Sequence, residues 1–370
     1  SCKPDGNISN CQVLVARYRS NGLLDPSFGS GGIFTTALPP ADGPFNGTAI
    51  ARQPSTGRLV VAGAYGGDSI LLMRLTPSGQ LDPTFGPAGN GLVRVFVGGP
   101  GNALAIDEHG RIFVGAWNRN PPGAPMVVAR FSPDGLLDTR FGQNGTVQLL
   151  FWDPNIGASA NVATLNVAAD GNVTGVGHID YIGDPSRGGT AGVFQLSSSG
   201  KPAPGFGSGG HIEIALMTSP GIFANWFPCA MTVDSRGRIV VTGSVDAGTG
   251  PAILNARLTP SGTLDRSYGT AGSGLVLVGG LGNDVGSQTN CGAAVDLSNA
   301  VTTGIGATLV QVTSDGTPNT RFGPGGFVTI GAPAGVNLSA VTNAGAGRIV
   351  LTGSAGDAGA AMYVARYRTR

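Results

Sequence analysis

Short apolar stretches, each closed by a turn rich in glycine, asparagine or aspartate, recur from one end of the chain to the other. Ala103–Asp107 faces Arg111–Ala116 across such a turn, and Met231–Asp234 faces Arg238–Gly243. The runs are Val- and Ile-rich and nearly continuous, as expected of strands buried on both faces. Glycine beside the turns supplies positive φ for hairpins. No segment shows the 3.6-residue period of an amphipathic helix, so the pattern predicts an all-β chain.

A single phrase punctuates these strands. It reads Asn21-Gly-Leu-Leu-Asp-Pro-Ser-Phe-Gly29, then Ser78-Gly-Gln-Leu-Asp-Pro-Thr-Phe-Gly86, then Asp134-Gly-Leu-Leu-Asp-Thr-Arg-Phe-Gly142. Weaker copies end at Gly207, Gly269 and Gly323. The aromatic anchors Phe28, Phe85, Phe141, Phe206, Tyr268 and Phe322 stand 54 to 65 residues apart. One strand precedes each phrase (Val127–Phe131) and another follows it (Thr146–Phe151). With the hairpin, each period holds four strands, the pattern of a propeller blade. Six periods predict six blades of four antiparallel strands. The first strand, Leu14–Arg19, is nearly repeated by the last, Tyr363–Arg368, so the terminal strands are expected to close the ring; seven blades, one incomplete, is the alternative. Residues 13–370 are then one propeller domain, preceded by a short segment, 1–12.

The phrase Asp-Gly-x-Leu-Asp-x-x-Phe-Gly resembles the delta-60 repeat, a bacterial family assigned to β-propellers whose members largely lack a defined activity. The resemblance implies the fold and little chemistry. The fourth copy carries Ala203 and the sixth Asn319 where the others have Asp25, Asp82, Asp138 and Asp265. A metal or catalytic role in every blade is therefore not expected of this position. These carboxylates are read as turn-fixing groups. The recurring Arg17, Arg74, Arg130, Arg257 and Arg366, assigned to outermost strands, are read as packing and hydrogen-bonding residues.

The strands after the phrase are assigned to the innermost position. There Thr35, Arg94, Gln148, Glu213, Leu277 and Thr329 alternate with a uniformly apolar set. Arg94 and Glu213 are thus candidate ligand-binding residues facing an axial channel.

Composition removes several function classes. Of the residues, 41% are hydrophobic and 12% charged, with a net charge of +1, so nothing points to nucleic acid or an anionic surface. No apolar run is long enough for a membrane-spanning helix, and no insertion is expected. The four cysteines lack a zinc-ligand spacing. Cys2 and Cys11 bracket a short polar loop, and Cys229 and Cys291 occupy matching positions in neighbouring repeats. Two disulfides and a secreted or periplasmic location are expected.

Propeller loops alternate between two ends of the blades. The phrases and hairpin turns share a uniform end, and the connections at the other end vary in length, where specificity usually sits. That end carries Trp152 and Asp153, Asn225 and Trp226, His178 and Asp180, and Asp284. Aromatic, amide and acidic groups suit a glycan, peptide or protein ligand; the competing reading places Trp152 and Trp226 over the core. No GxSxG, HExxH or P-loop occurs, no cofactor is indicated, and His178 with Asp180 or Asp153 is the first candidate for a catalytic pair. A monomeric binding module is expected, with a lactonase-like or glycosidase-like hydrolase as alternative.

Overall fold

The computed structural model describes residues 12–37, 45–65, 68–99, 101–117, 124–151, 158–181, 187–219, 222–246, 250–281, 291–331, 336–345, 347–355 and 361–368. Cys2, Cys11, Trp152, Asp153 and Asp284 lie outside them.

The chain is all-β, with six blades in succession. A hairpin of β1 (Gln12–Ala16) and β2 (Ile33–Ala37) comes first. The first complete sheet is β3 (Phe45–Arg52), β4 (Leu59–Tyr65), β5 (Ser69–Leu75) and β6 (Leu92–Phe96). The second is β7 (Gly101–Ile106), β8 (Ile112–Trp117), β9 (Met126–Phe131) and β10 (Thr146–Leu149). The third is β11 (Ala158–Val167), β12 (Val173–Tyr181), β13 (Gly189–Leu196) and β14 (His211–Ile214). A short hairpin, β15 (Met217–Ser219) with β16 (Ile222–Phe223), follows. The fourth sheet is β17 (Asn225–Val233), β18 (Ile239–Asp246), β19 (Pro251–Leu258) and β20 (Leu275–Val278). The fifth is β21 (Cys291–Val295), β22 (Val301–Ile305), β23 (Thr308–Val312) and β24 (Phe327–Thr329). The sixth shows three strands, β25 (Asn337–Asn343), β26 (Arg348–Ala355) and β27 (Ala361–Arg368). Among the described residues, helical structure is confined to two three-residue 3₁₀ turns, Thr270–Gly272 and Pro324–Gly326.

Two compact units divide the chain, Ser1–Gly175 with Leu196–Lys201, and Val176–Gln195 with Pro202–Arg370. Inside the first unit β7 packs between β3 and β11, and inside the second β21 packs between β17 and β25. First strands therefore converge, while fourth strands are sheet edges. This corrects the strand assignment made from sequence: the strands after the phrase are edge strands, and Thr35, Arg94, Gln148, Glu213, Leu277 and Thr329 are exposed there. The arginine-bearing strands β5, β9 and β19 are third strands, paired on both sides. Period-two alternation is the same at either edge of a blade, so the pattern alone does not distinguish inner from outer.

The phrase itself locks neighbouring sheets together. Phe28, Phe85, Phe141 and Phe206 are fully buried. Gly135 of the third phrase has φ +82°, and a Cβ there would stand 2.6 Å from the Phe85 ring of the preceding phrase. Only glycine tolerates both the conformation and the approach. The N–H of the closing glycine in each of the first five phrases reaches the next phrase, Gly29 to Ser78 O at 2.8 Å and Gly269 to Asp315 O at 2.9 Å.

The repeated arginine and aspartate form a buried unit with that aromatic. Arg74 Nε lies 2.9 Å from Asp82 Oδ2 and its guanidinium 4.6 Å from the Phe85 centroid. Arg130 repeats this with Asp138 and Phe141, and Arg257 with Asp265 and Tyr268. Each guanidinium also donates to the carbonyl just before the following phrase: Pro133 for Arg74, Ser198 for Arg130, Ser314 for Arg257. Asp82 Oδ1 meanwhile accepts from Thr84 N and Oγ1, fixing the turn. Burial works to raise the Asp82 pKa, but the Thr84 hydrogen bonds and the charges of Arg74 and Arg58 outweigh it and hold the carboxyl below its ordinary range.

A bulge near the start of first strands re-aims one side chain toward the next sheet. In β3 the register shifts between Gly47 and Ala49, and Thr48 Oγ1 donates to Gly101 O at 2.8 Å, where β7 begins. In β17 the shift falls between Pro228 and Ala230, and the extra residue is Cys229. It forms a disulfide with Cys291, the first residue of β21, with 5.5 Å between Cα atoms. The expected Cys229–Cys291 bridge is present.

Candidate functional site

At the end opposite the phrases, β12, β13, β14 and β17 of the second unit bring a polar cluster together. Glu213 is central. It projects from the exposed face of edge strand β14, opposite Gly192. Its carboxylate is held from two strands: Tyr181 Oη, at the end of β12, lies 2.8 Å from both Oε1 and Oε2, and Thr190 Oγ1, on β13, donates to Oε1 at 2.7 Å. Burial, followed by the hydrogen bond and charge of Glu213, pushes the Tyr181 pKa upward, so this phenol stays a donor. The Arg187 guanidinium sits 4.4 Å from the Tyr181 centroid. Both Arg187 and Glu213 are exposed, so one tyrosine carries an acceptor at its hydroxyl and a donor fork against its ring.

Behind them the site is tightly packed. His178 stacks on Phe227 with 4.8 Å between ring centroids. Its Nε2 is enclosed, without a hydrogen-bond partner among the described residues. Burial lowers the His178 pKa, partly opposed by the charge of Asp180, so the ring is neutral at neutral pH. Asn225 Oδ1 accepts from Gly189 N at 2.8 Å. A Cβ at Gly189 would lie 2.3 Å from His178 Nε2 and 2.4 Å from Asn225 Oδ1, so this glycine makes room for both.

His178, Asp180, Glu213 and Asn225 are thus drawn to one rim. Trp226 is not part of its surface: the indole is fully buried among Val176, Val193, Met231 and Val245, in the core. Strand alternation decides this, since Asn225 and Phe227 flank it on the opposite face. Arg94 belongs to the first unit, on edge strand β6, in a cluster of the same design and reversed charge. Its Nε donates to Ser69 Oγ at 3.1 Å, its guanidinium lies 5.1 Å from the Tyr65 centroid, and Asp68 is 3.9 Å away. Tyr65 and Tyr181 both end second strands; Ser69 opens its third strand and Thr190 is the second residue of its own. Thr190 and Gly189 carry no signal in the sequence, because their roles arise from the register of β13 with β14.

Among the described residues no group of three His, Cys, Asp or Glu side chains could hold a metal ion.

Residues 55–85 and 237–268 match the family model described as "Domain of unknown function (DUF5122) beta-propeller". Each match runs from a hairpin turn through a third strand to the phrase aromatic, Phe85 or Tyr268. No curated protein sequence matches the chain. Among solved structures, the polysaccharide lyase Uly1 aligns over 98% of this chain and 86% of its own, with a TM-score of 0.52 at 11% identity. A glucose dehydrogenase aligns over 88% of this chain and 99% of its own, with a TM-score of 0.46 at 11% identity. Regucalcin, a calcium-binding protein from Agrobacterium tumefaciens, aligns over 84% and 83%, with a TM-score of 0.41 at 12% identity. At such identities, similarity bears on the fold alone.

Proposed function

Starting from a propeller that carries the DUF5122 repeat, we propose that this protein is an extracellular or periplasmic binding module that recognises a glycan at the rim formed by β12, β13, β14 and β17. The observation that carries the reading is the carboxylate of Glu213, clamped by the Tyr181 and Thr190 hydroxyls yet exposed. A carboxylate has about four lone-pair sites. Those turned to solvent accept hydrogen bonds from ligand hydroxyls, while Arg187 supplies a donor fork. Preorganisation lowers the ordering cost of such weak polar contacts.

Binding is favoured over hydrolysis by the same geometry. The Tyr181 and Thr190 hydroxyls fix the Glu213 carboxylate as a hydrogen-bond acceptor, the arrangement of a binding group. His178, the other candidate, has its Nε2 enclosed against Gly189. The Cys229–Cys291 disulfide supports an oxidising compartment.

The test is a glycan array probed with the wild-type chain and with Glu213→Gln and Arg187→Ala. Retention of a defined glycan class by wild type, weakened at least tenfold in both variants with unchanged circular dichroism, is expected. Undiminished binding by Glu213→Gln, or no glycan retained by the wild type, would overturn the proposal.

A further inference from the structure

At the phrase end of the second unit, a cavity of about 340 Å³ opens between the β21–β22 turn and the β25–β26 turn. Asp296, Leu297, Thr302, Gly347, Arg348 and Ile349 are among its lining residues. Its origin lies in one substitution within the repeat. In four sheets the residue just before or opening the second strand is arginine: Arg58, Arg111, Arg238 and Arg348. Two of these pair with the aspartate that begins their own hairpin turn, Arg111 Nε with Asp107 Oδ2 at 2.5 Å and Arg238 Nε with Asp234 Oδ2 at 2.6 Å.

The fifth sheet keeps the aspartate and lacks the arginine. Asp296 Oδ1 accepts from Ser298 N at 2.8 Å and from Ala300 N at 3.0 Å. Asp107 Oδ1 does the same with His109 N and Arg111 N, and Asp234 Oδ1 with Arg236 N and Arg238 N. The turn is therefore identical in design, but position 300 is alanine. The space is equivalent as well. Arg111 Nη2 approaches the turn glycine of the next sheet, 3.4 Å from where a Cβ on Gly171 would stand. The glycine in the corresponding turn position of the sixth sheet is Gly347, which lines the cavity.

We propose that this cavity binds a guanidinium group from outside the chain, seated on Asp296 Oδ2 where the other sheets seat their own arginine. Thr302 and Ile349 wall the space for an alkyl stem. Leu297, 98% exposed at the turn tip, offers the apolar contact that extends the site beyond the guanidinium. Arg348 is the second charged group of the lining. It disfavours a bare dication and favours a guanidinium ligand that also carries a carboxylate or carbonyl acceptor.

The purified full chain is titrated, by calorimetry and thermal melting, with agmatine, L-arginine, N-acetyl-arginine amide and citrulline. Saturable binding of the guanidinium compounds, with citrulline at least tenfold weaker, is expected. A free amino acid as natural ligand shows L-arginine tighter than N-acetyl-arginine amide; a polypeptide side chain shows the reverse. Asp296→Asn, which keeps Oδ1 for the turn, should lose the response. Ala300→Arg, which refills the space from within, should also lose it while melting at a higher temperature. Equal responses to citrulline and agmatine, or a wild-type response retained in Asp296→Asn, would overturn the proposal.

Discussion

Asn319 Nδ2 donates to Gln311 Oε1 at 2.6 Å, in the positions where the preceding sheet pairs Arg257 with Asp265 at 2.8 Å. The fifth sheet has replaced a buried ion pair by a neutral hydrogen bond with the same connectivity. The third sheet has Gln195 and Ala203 at these positions. Charge is thus lost from both partners together, as expected if an unpaired buried charge is the costly state.

That relationship gives a double-mutant cycle. Arg257→Gln alone leaves Asp265 Oδ2 with only the longer Arg238 contact at 3.7 Å, and Asp265→Asn alone takes the counter-charge from a guanidinium that is nearly enclosed. Each single variant is expected to lose about 3–5 kcal/mol. The double variant, which reproduces the fifth-sheet pair, should recover more than half of that loss in urea denaturation. Additive losses would show that the two side chains act independently.

The architecture was legible because the phrase encodes contacts between sheets as well as a turn. Phe85 needs Gly135, and Arg74 needs Asp82 and Pro133 O, so a recurring pattern records a recurring three-dimensional contact. Which edge of each blade is central was not legible, since β6 and β14 alternate as an inner strand would. Of the candidate rim, His178, Asp180, Glu213 and Asn225 stood out as polar residues that break the repeat. Thr190 and Gly189 did not, because a threonine clamp and a missing Cβ acquire meaning only from strand register. Trp226 was ambiguous in a loop-like sequence and is resolved by its facing the core of β17.

Trp226→Ala is therefore expected to act on stability. The indole is fully buried in the core of the second unit, and truncation of a buried large aromatic costs about 3–5 kcal/mol. Chemical denaturation should show that loss. A melting curve unchanged from wild type would return Trp226 to the surface.

The Cys229–Cys291 bridge closes a 62-residue separation. Restricting the unfolded chain over that length contributes roughly 4 kcal/mol in the chain-entropy description. Mass spectrometry of alkylated protein should find both thiols blocked until reductant is added. The reduced protein should then melt at a lower temperature, whereas equal melting temperatures would mean that the bridge holds no unfolded-state entropy.

Gly189→Ala tests the packing behind Glu213. The added methyl would stand 2.3 Å from His178 Nε2 and 2.4 Å from Asn225 Oδ1. Overpacking of this kind costs about 1–3 kcal/mol. The imidazole resonances of His178 should shift in NMR spectra, and ligand affinity at the rim should fall with them. Unchanged resonances would indicate that the ring has free space and does not rest against Gly189.

His178 also sets a pH dependence whose sign follows from its environment. Burial lowers its pKa from the ordinary 6.5, with Asp180 opposing the shift. Below about pH 6.5 the unfolded chain takes up the proton more readily than the folded one, so acid favours unfolding. The stabilisation is complete above that pH and is lost as pH falls through the lowered folded value. The buried Asp82, Asp138 and Asp265, whose pKa values are depressed, add a second loss only at more acid pH, below the ordinary carboxylate range. Comparing urea midpoints at pH 7.5 and 5.5 separates the two. The wild-type midpoint should drop over this interval, and His178→Asn should flatten the drop while leaving the carboxylate-driven loss near pH 3 in place. An identical drop in the variant would assign the pH 5.5–7.5 dependence to another group.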